Sequence, residues 1–370
     1  MQFSIQGKAL SQALKSVGRV IPKRAARPIL QNVLVLAKGA IELAGTDMEV
    51  GMRVKLEGET VGTGEILIPA VRLSTILRGI NGQMVTFQAE GDKAEVSWPK
   101  RRFTLVGEDA ADFPVIPQYP AGKGLQIDAG TFLEMFKRVS FATADEESRY
   151  AIHGLLISVK GGKVTFVATD GKRLAVQTGT IQGRGTFEAL IPARVMADIS
   201  AAIPKRGKDL GSVHILPKAR RVLFQYGDAT FVAAKIDGTF PNWEEVIPSK
   251  SKYRISVDSA ELTAAIKDAG ILASEGSHSV SLKFEDQTLA ISAKVSNVGD
   301  CQAEVPIEMD DPSVLINPID VHFNPKYLLD YLKASDAHVV TFWITDPRSA
   351  VKLTDGTDGA HVLMPITLET

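Results

Sequence analysis

The chain has one cysteine, Cys301, in 370 residues, which excludes an internal disulfide and any cysteine-rich metal cage. A lone cysteine reads as a small core hydrophobe on a strand. No apolar run approaches the length of a membrane span, and Met1-Gln2-Phe3-Ser4-Ile5 lacks a basic region followed by an apolar stretch, so a cytoplasmic chain with no membrane partner is expected. Charge of either sign is not in excess, with a net of −1, and 45% hydrophobic with 23% charged residues is ordinary for globular protein.

Sequence signals of catalysis are also missing. The Gly-Lys pairs at 7, 122, 162, 171 and 207 are followed by Ala, Gly, Val, Arg and Asp, so no phosphate-cradling loop of the G-x-x-x-x-G-K-[ST] type exists. Gly62-Thr63-Gly64 is too short for a dinucleotide fingerprint and reads as a hairpin turn. No G-x-S-x-G elbow and no H-E-x-x-H occur. The histidines at 153, 214, 278, 322, 338 and 361 stand singly, without metal-ligand spacing, and the acidic pairs Glu146-Glu147, Glu244-Glu245 and Asp310-Asp311 read as solvated loops. Neither an enzyme nor a cofactor is expected.

What is present is a repeat. Ile66-Leu67-Ile68-Pro69-Ala70 recurs as Ala189-Leu190-Ile191-Pro192-Ala193 and more faintly as Val321-His322-Phe323-Asn324-Pro325. Thr46-Asp47 returns as Thr169-Asp170, and Phe113-Pro114 as Phe240-Pro241. A period near 125 residues is too long for a solenoid and long enough for each copy to own a core. The boundaries fall at 1–117, 124–248 and 252–370. Lys and Arg outnumber Asp and Glu by 15 to 12 in residues 1–117 and by 18 to 13 in 118–251, but are outnumbered 9 to 18 in 252–370. Opposite charge on sibling domains favours pairing of one chain's first repeat with another's third.

Each copy reads as strand, helix, four strands, helix, three strands. Helical stripes cover Ala9 to Val20, Val71 to Ile80, Thr131 to Ser140, the segment after Pro192, Ala260 to Leu272, and Pro325 to Ala334. The class is therefore α+β, with antiparallel sheets and two helices on one face of each domain. Away from their apolar stripes the helices carry Lys15, Arg19, Arg72, Arg78, Lys137, Arg138, Arg194, Lys267, Lys326 and Lys333, with Lys23, Arg24, Arg27, Lys205, Arg206 and Lys208 on loops. Helices facing one way would converge these cations on a surface that suits a polyanion.

Ala168-Thr169-Asp170-Gly171-Lys172-Arg173-Leu174-Ala175-Val176, Asp237-Gly238-Thr239-Phe240-Pro241-Asn242-Trp243, Arg27-Pro28-Ile29-Leu30-Gln31-Asn32 and Val362-Leu363-Met364-Pro365-Ile366 together resemble the bacterial sliding clamp family, the beta subunit of DNA polymerase III. The resemblance spans the whole chain. It implies three clamp-type domains forming half of a closed ring, a head-to-tail homodimer that encircles duplex DNA, with helices lining the hole. It implies Phe103, Leu105, Ile271 and Leu272 at the dimer interface, and Arg24, Arg72, Arg149, Tyr150 and Arg194 facing DNA. Ala151 follows Tyr150 where the family pattern has a second tyrosine. The resemblance further implies a pocket for linear motifs of the replicative polymerase, the clamp loader and other partners. Its lining is Ile152, Thr169, Gly171, Lys172, Arg173, Leu174, Pro241, Val246, Asn324, Tyr327, Val362, Met364, Pro365 and Ile366. A non-DNA structural ring or scaffold also fits the triplication. A triplicated enzyme would need a cluster of titratable groups at a repeat boundary, and the sequence offers no such local cluster.

Overall fold

The structure is a computed structural model that describes residues 1–80, 82–144, 154–204, 207, 209–273, 278–311, 315 and 317–367. The chain forms two compact units, one of Met1–Phe132, Ile181–Gly185 and Arg194–Ile236, the other of Leu133–Thr180, Thr186–Ala193 and Asp237–Thr370.

The first unit holds two antiparallel sheets. One is five-stranded, in the order Glu59–Val61, Gln2–Gln6, Met84–Glu90, Lys93–Trp98, Arg101–Val106. The other is eight-stranded and runs Leu125–Asp128, Ser212–Pro217, Arg221–Tyr226, Ala229–Ala234, Val50–Leu56, Ile41–Thr46, Asn32–Ala37, Gly64–Pro69. Asn32–Ala37 and Ile41–Thr46 are buried at every position, as expected of strands covered on both faces. The helix Gly7–Val17 buries Leu10, Ala13, Leu14 and Val17, a stripe at three- and four-residue spacing, and packs against the helix Ala70–Leu77. Gly7 opens it because a Cβ there would lie 2.1 Å from Ile80 Cγ2.

The second unit holds one twelve-stranded sheet. Its order is Phe187–Pro192, Gly154–Lys160, Lys163–Thr169, Arg173–Thr180, Gly359–Leu363, Val351–Thr354, Val339–Ile344, Tyr253–Asp258, Gly299–Met309, Thr288–Val295, Val280–Glu285, Ile319–Phe323. The long strand Gly299–Met309 turns a corner, pairing Val305 to Leu289 on one side and Ile307 to Val257 on the other. The helices Ser259–Ala273 and Pro325–Ala334 pack on each other, over a core that includes Phe284, Phe323 and Phe342.

The order of strand, helix, four strands, helix, three strands recurs in all three copies, with Glu59–Val61 as an extra short strand in the first. The first helix ends at Val17 rather than Val20, because Gly18 and Val20 close a turn back onto Leu14 and Val17 while Val20 stays buried. Pro192 ends a strand, and the helix that follows is Ala193–Ala202. The 3₁₀ turn Pro28–Gln31 and the short helix Trp243–Val246 have too few residues to show a period. Among the described residues, no helix is long and apolar enough to cross a membrane.

Candidate peptide-docking site

One turn is built twice. Thr46 Oγ1 donates to the Val50 carbonyl at 2.8 Å and accepts from Met48 N at 3.0 Å, while Asp47 Oδ1 accepts from the amides of Glu49 and Val50. In the second copy Thr169 Oγ1 donates to the Arg173 carbonyl at 2.7 Å and accepts from Gly171 N at 3.1 Å, while Asp170 Oδ1 accepts from the amides of Lys172 and Arg173. Threonine and aspartate serve because their short oxygens reach amides two residues on. The third turn residue has positive φ in both, 85° at Met48 and 84° at Gly171.

Each turn leads into a strand that meets the last strand of the next copy. Val50–Leu56 pairs with Ala229–Ala234, setting Met52 opposite Phe231, and Arg173–Thr180 pairs with Gly359–Leu363, setting Ala175 opposite His361. Beyond the pairing, Ala234 N donates to the Glu49 carbonyl and Met364 N to the Lys172 carbonyl. Matching apolar layers lie over the two junctions, with Ala44, Phe113, Ile116 and Val232 at the first and Val167, Phe240, Trp243 and Val362 at the second.

At the second junction Arg173 is buried, and each of its three nitrogens already donates a hydrogen bond. Nε donates to Asp170 Oδ2 at 3.0 Å, Nη1 to Asp330 Oδ2 at 2.7 Å and Nη2 to the Phe141 carbonyl at 2.5 Å. Its guanidinium lies 4.4 Å from the Tyr327 ring centroid. Arg173 therefore locks the turn to the helix Pro325–Ala334 and to the end of Ala129–Ser140, and it positions Tyr327 through a cation–π stack. Arg138 does similar work, with Asp355 on one side and Glu134 on the other. Burial pushes the Asp355 carboxyl up, but hydrogen bonds from Thr357, Arg138 and Ser335 outweigh it and hold the group below its ordinary value. Beside Arg173, His361 is buried between Tyr331 and Phe141, with no hydrogen-bond partner for either ring nitrogen among the described residues. Burial first, and the Arg173 charge second, push its pKa down to about 3.

The remaining pocket positions divide by exposure. Thr169, Leu174 and Val362 are buried and form the floor, while Met364 is 47% and Val246 41% exposed. Gly171, Lys172 and Pro241 are exposed, Tyr327, Pro365 and Ile366 half-buried, and the Asn324 side chain caps its helix by accepting from Lys326 N. Ile366 N donates to the His322 carbonyl, which fixes the segment that carries Met364 and Pro365. Ile152, Arg149 and Tyr150, with Ala151, Lys205, Arg206 and Lys208, lie outside the described residues. Asp330 and Phe141 are part of this site and had no place in the sequence reading, and His361, also part of it, appeared there only as an isolated histidine. The three-residue step from Tyr327 to Asp330 on one helix was the available signal for the first of them.

Of the cations expected on the helices and loops, Arg24 and Arg72 are exposed, whereas Arg194 pairs with Asp47 and Glu49 of the first turn. Arg19 meets Asp198 at 3.5 Å, Lys137 meets Asp336 at 2.7 Å, and Arg138 is half-buried. On the edge strand Arg101–Val106, Phe103 is 37% exposed and stacks on Trp98, while Leu105 is buried. Ile271 is 68% exposed, and Leu272 packs against the third copy's core.

Known proteins share this order of elements. Models of the DNA polymerase III beta subunit match in succession, the N-terminal domain over residues 1–117, the central domain over 126–242 and the C-terminal domain over 244–367. The chain belongs to the DNA polymerase III beta subunit family. A beta sliding clamp of Pseudomonas aeruginosa is 30% identical over the full length of both chains. One from Chlamydia muridarum is 28% identical over all of this chain and 99% of its own. Among solved structures, the Pseudomonas aeruginosa clamp bound to griselimycin covers both chains completely, with a TM-score of 0.90 and 30% identity. A Bacillus subtilis clamp shares the fold, with a TM-score of 0.91 at 22% identity. Membership of this beta subunit family accounts for the triple repeat and for the two like junctions.

Proposed function

We infer that the chain is a DNA polymerase processivity factor. Two copies close head to tail into a ring around duplex DNA, which slides without sequence specificity and tethers the replicative polymerase. The family of non-enzymatic clamps to which it belongs supports this, and the observation that carries it is the repeated strand junction. The fourth-strand position of copy one joins the last strand of copy two, and that of copy two joins the last strand of copy three. Two partners are then left over, Gly299–Met309 of the third copy and Arg101–Val106 of the first. Among the described residues, Arg101–Val106 pairs only with Lys93–Trp98, and residues 299–306 of the longer strand pair only with Thr288–Val295. Open edges invite pairing, and a heterologous contact that closes on itself makes a ring.

Carried to this third junction, the internal register sets Phe103 opposite Cys301 and Arg102 opposite Gln302, diagonal to Asp300 and Glu304. Opposite charges across the strands favour that register. The three domains run 1–117, 124–248 and 252–370. DNA threaded through the ring is held by linkage, so exposed cations such as Arg24 and Arg72 need only weak phosphate contacts, which do not stall sliding as base readout would. The site around Tyr327 and Met364 takes short linear motifs of the polymerase, a clamp loader and other partners, with Val246 and Met364 as apolar contacts for Leu and Phe anchors. The chain works in the cytoplasm.

Phe103→Cys tests the closure directly, because Cys301 is the native partner expected opposite it. Antiparallel neighbours lie within disulfide reach. Mild oxidation of the full-length variant, carried out after it is loaded on DNA, should give a reducible covalent dimer that stays on nicked circular DNA and runs off linear DNA. A variant that remains monomeric in sedimentation, or is held equally on both DNA forms, would sink the ring.

A further inference from the structure

The first junction has its own groove, lined by Met48, Glu49, Pro114, Val115, Arg221 and Ala234 among others. It stands where the docking site stands at the second junction. Pro114 takes the place of Pro241, Ala234 that of Met364, and Gly51 that of Leu174, by the matched turns and strand registers. Its apolar wall is open to solvent, with Met48 50% and Val115 85% exposed. Two large apolar side chains left in water on one groove are unusual away from an interaction surface. Met48 is also held at a φ of 85°, a conformation costly for any residue with a Cβ. A flexible thioether is well suited to accommodate a partner's side chain.

The rim has a definite charge. The hairpin that supplies Arg221 and Ala234 also carries Lys218, Arg220 and Lys235, joined through the bonds from Lys218 N to the Arg221 carbonyl and from Lys235 N to the Arg220 carbonyl. None of these four cations makes an ion pair among the described residues. The acid on the lining, Glu49, lies 3.8 Å from Arg194.

We propose that this groove is a second docking site, for an extended acidic peptide whose apolar side chain sits between Met48 and Val115 and whose carboxylates face Arg220, Arg221 and Lys235. The assignment rests on reading the second junction as a peptide site, because the two are related by the repeat. It differs in lacking a counterpart of Tyr327 on Arg173, since Val50 replaces the arginine and the buried Val195 the tyrosine. A site without that stacked wall binds more weakly, by about tenfold or more, one tenfold step being the loss of about one modest contact.

The test uses the full-length chain with ¹³C-methyl methionine, its Met48 and Met364 signals assigned through Met48→Leu and Met364→Leu. The probe is the capped peptide Glu-Glu-Leu-Phe-Glu. The Met48 methyl should shift saturably at higher peptide concentration than Met364, and Arg221→Glu with Lys235→Glu should weaken the Met48 response at least tenfold while leaving Met364 unchanged. A Met48 signal that stays still while Met364 saturates overturns the second site alone, as does a Met48 affinity indifferent to the charge reversal. Silence at Met364 with a response at Met48 overturns the proposed pocket at the second junction instead, and silence at both overturns both.

Discussion

The two internal junctions share a backbone and differ in what they place on it. At the first, residues 50, 52 and 231 are Val, Met and Phe, an apolar set in which nothing titrates. At the second, the matched positions 173, 175 and 361 are Arg, Ala and His, and the arginine gathers Asp170, Asp330 and the Phe141 carbonyl around itself. One hydrogen-bonded turn thus ends on an apolar Val50 in the first copy and on an Arg173 at the centre of a buried ionic cluster in the second. The ionic version gives Tyr327 and Met364 a rigid frame, and rigid frames are what specific docking needs. Its stability should then hinge on single residues in a way that the apolar seam does not.

The largest effect is expected at Arg173. Arg173→Ala strands Asp170 and Asp330 in a half-dry environment, and removing one partner of a buried pair costs about 3 kcal/mol or more. Urea unfolding at fixed protein concentration should show that loss, whereas Met364→Ala, on a half-exposed side chain, should leave stability within about 0.5 kcal/mol of the parent while weakening peptide binding. Equal stability of Arg173→Ala and the parent would make the cluster a bystander.

His361→Phe copies the first junction's residue into the second. His361 is neutral when folded, with a pKa near 3, against about 6.5 for an unfolded histidine. Between those values the unfolded chain binds the extra proton. The stability contributed is therefore complete above about pH 6.5 and is lost as pH falls toward 3, with a slope of up to about 1.4 kcal/mol per pH unit. The phenylalanine variant should lack this component, so the stability difference between variant and parent should grow in the variant's favour by about 2 kcal/mol from pH 7 to pH 5. A constant difference across that range would mean that the imidazole is already protonated or hydrated in the fold.

The repeat itself was legible because backbone geometry imposes composition. Thr-Asp turns, the prolines at strand-to-helix transitions and the alternation of strands such as Tyr253–Asp258 all mark the sequence directly. The contents of the site were less legible. Exposure of Met364 and burial of Leu174 cannot be told apart by periodicity, since both lie in short apolar runs. Arg138 and Arg194 read as cations free to face a polyanion, and Arg173 as pocket lining, because their acids, Asp355, Asp47 and Asp330, lie far off in the chain and meet them only after folding. His361 carried no signal at all, because an isolated histidine on a strand looks the same whether it is buried or wet.

The smallest effect tests the turn that both junctions share. Met48 and Gly171 have φ within a degree of each other, yet a left-handed backbone costs a residue with a Cβ about 1 kcal/mol or more. Exchanging them should act in opposite directions. Gly171→Met meets no obstruction, with no atom within 4 Å of its added Cβ, so its cost should be the backbone term alone, about 1 kcal/mol. Met48→Gly relieves the same term but returns entropy to the unfolded chain, leaving a gain of about 0.5 kcal/mol or less. A Met48→Gly variant that lost more than about 1 kcal/mol would show that the methionine side chain supports the first junction by packing, and the two turns would then be alike in hydrogen bonds but not in what holds them.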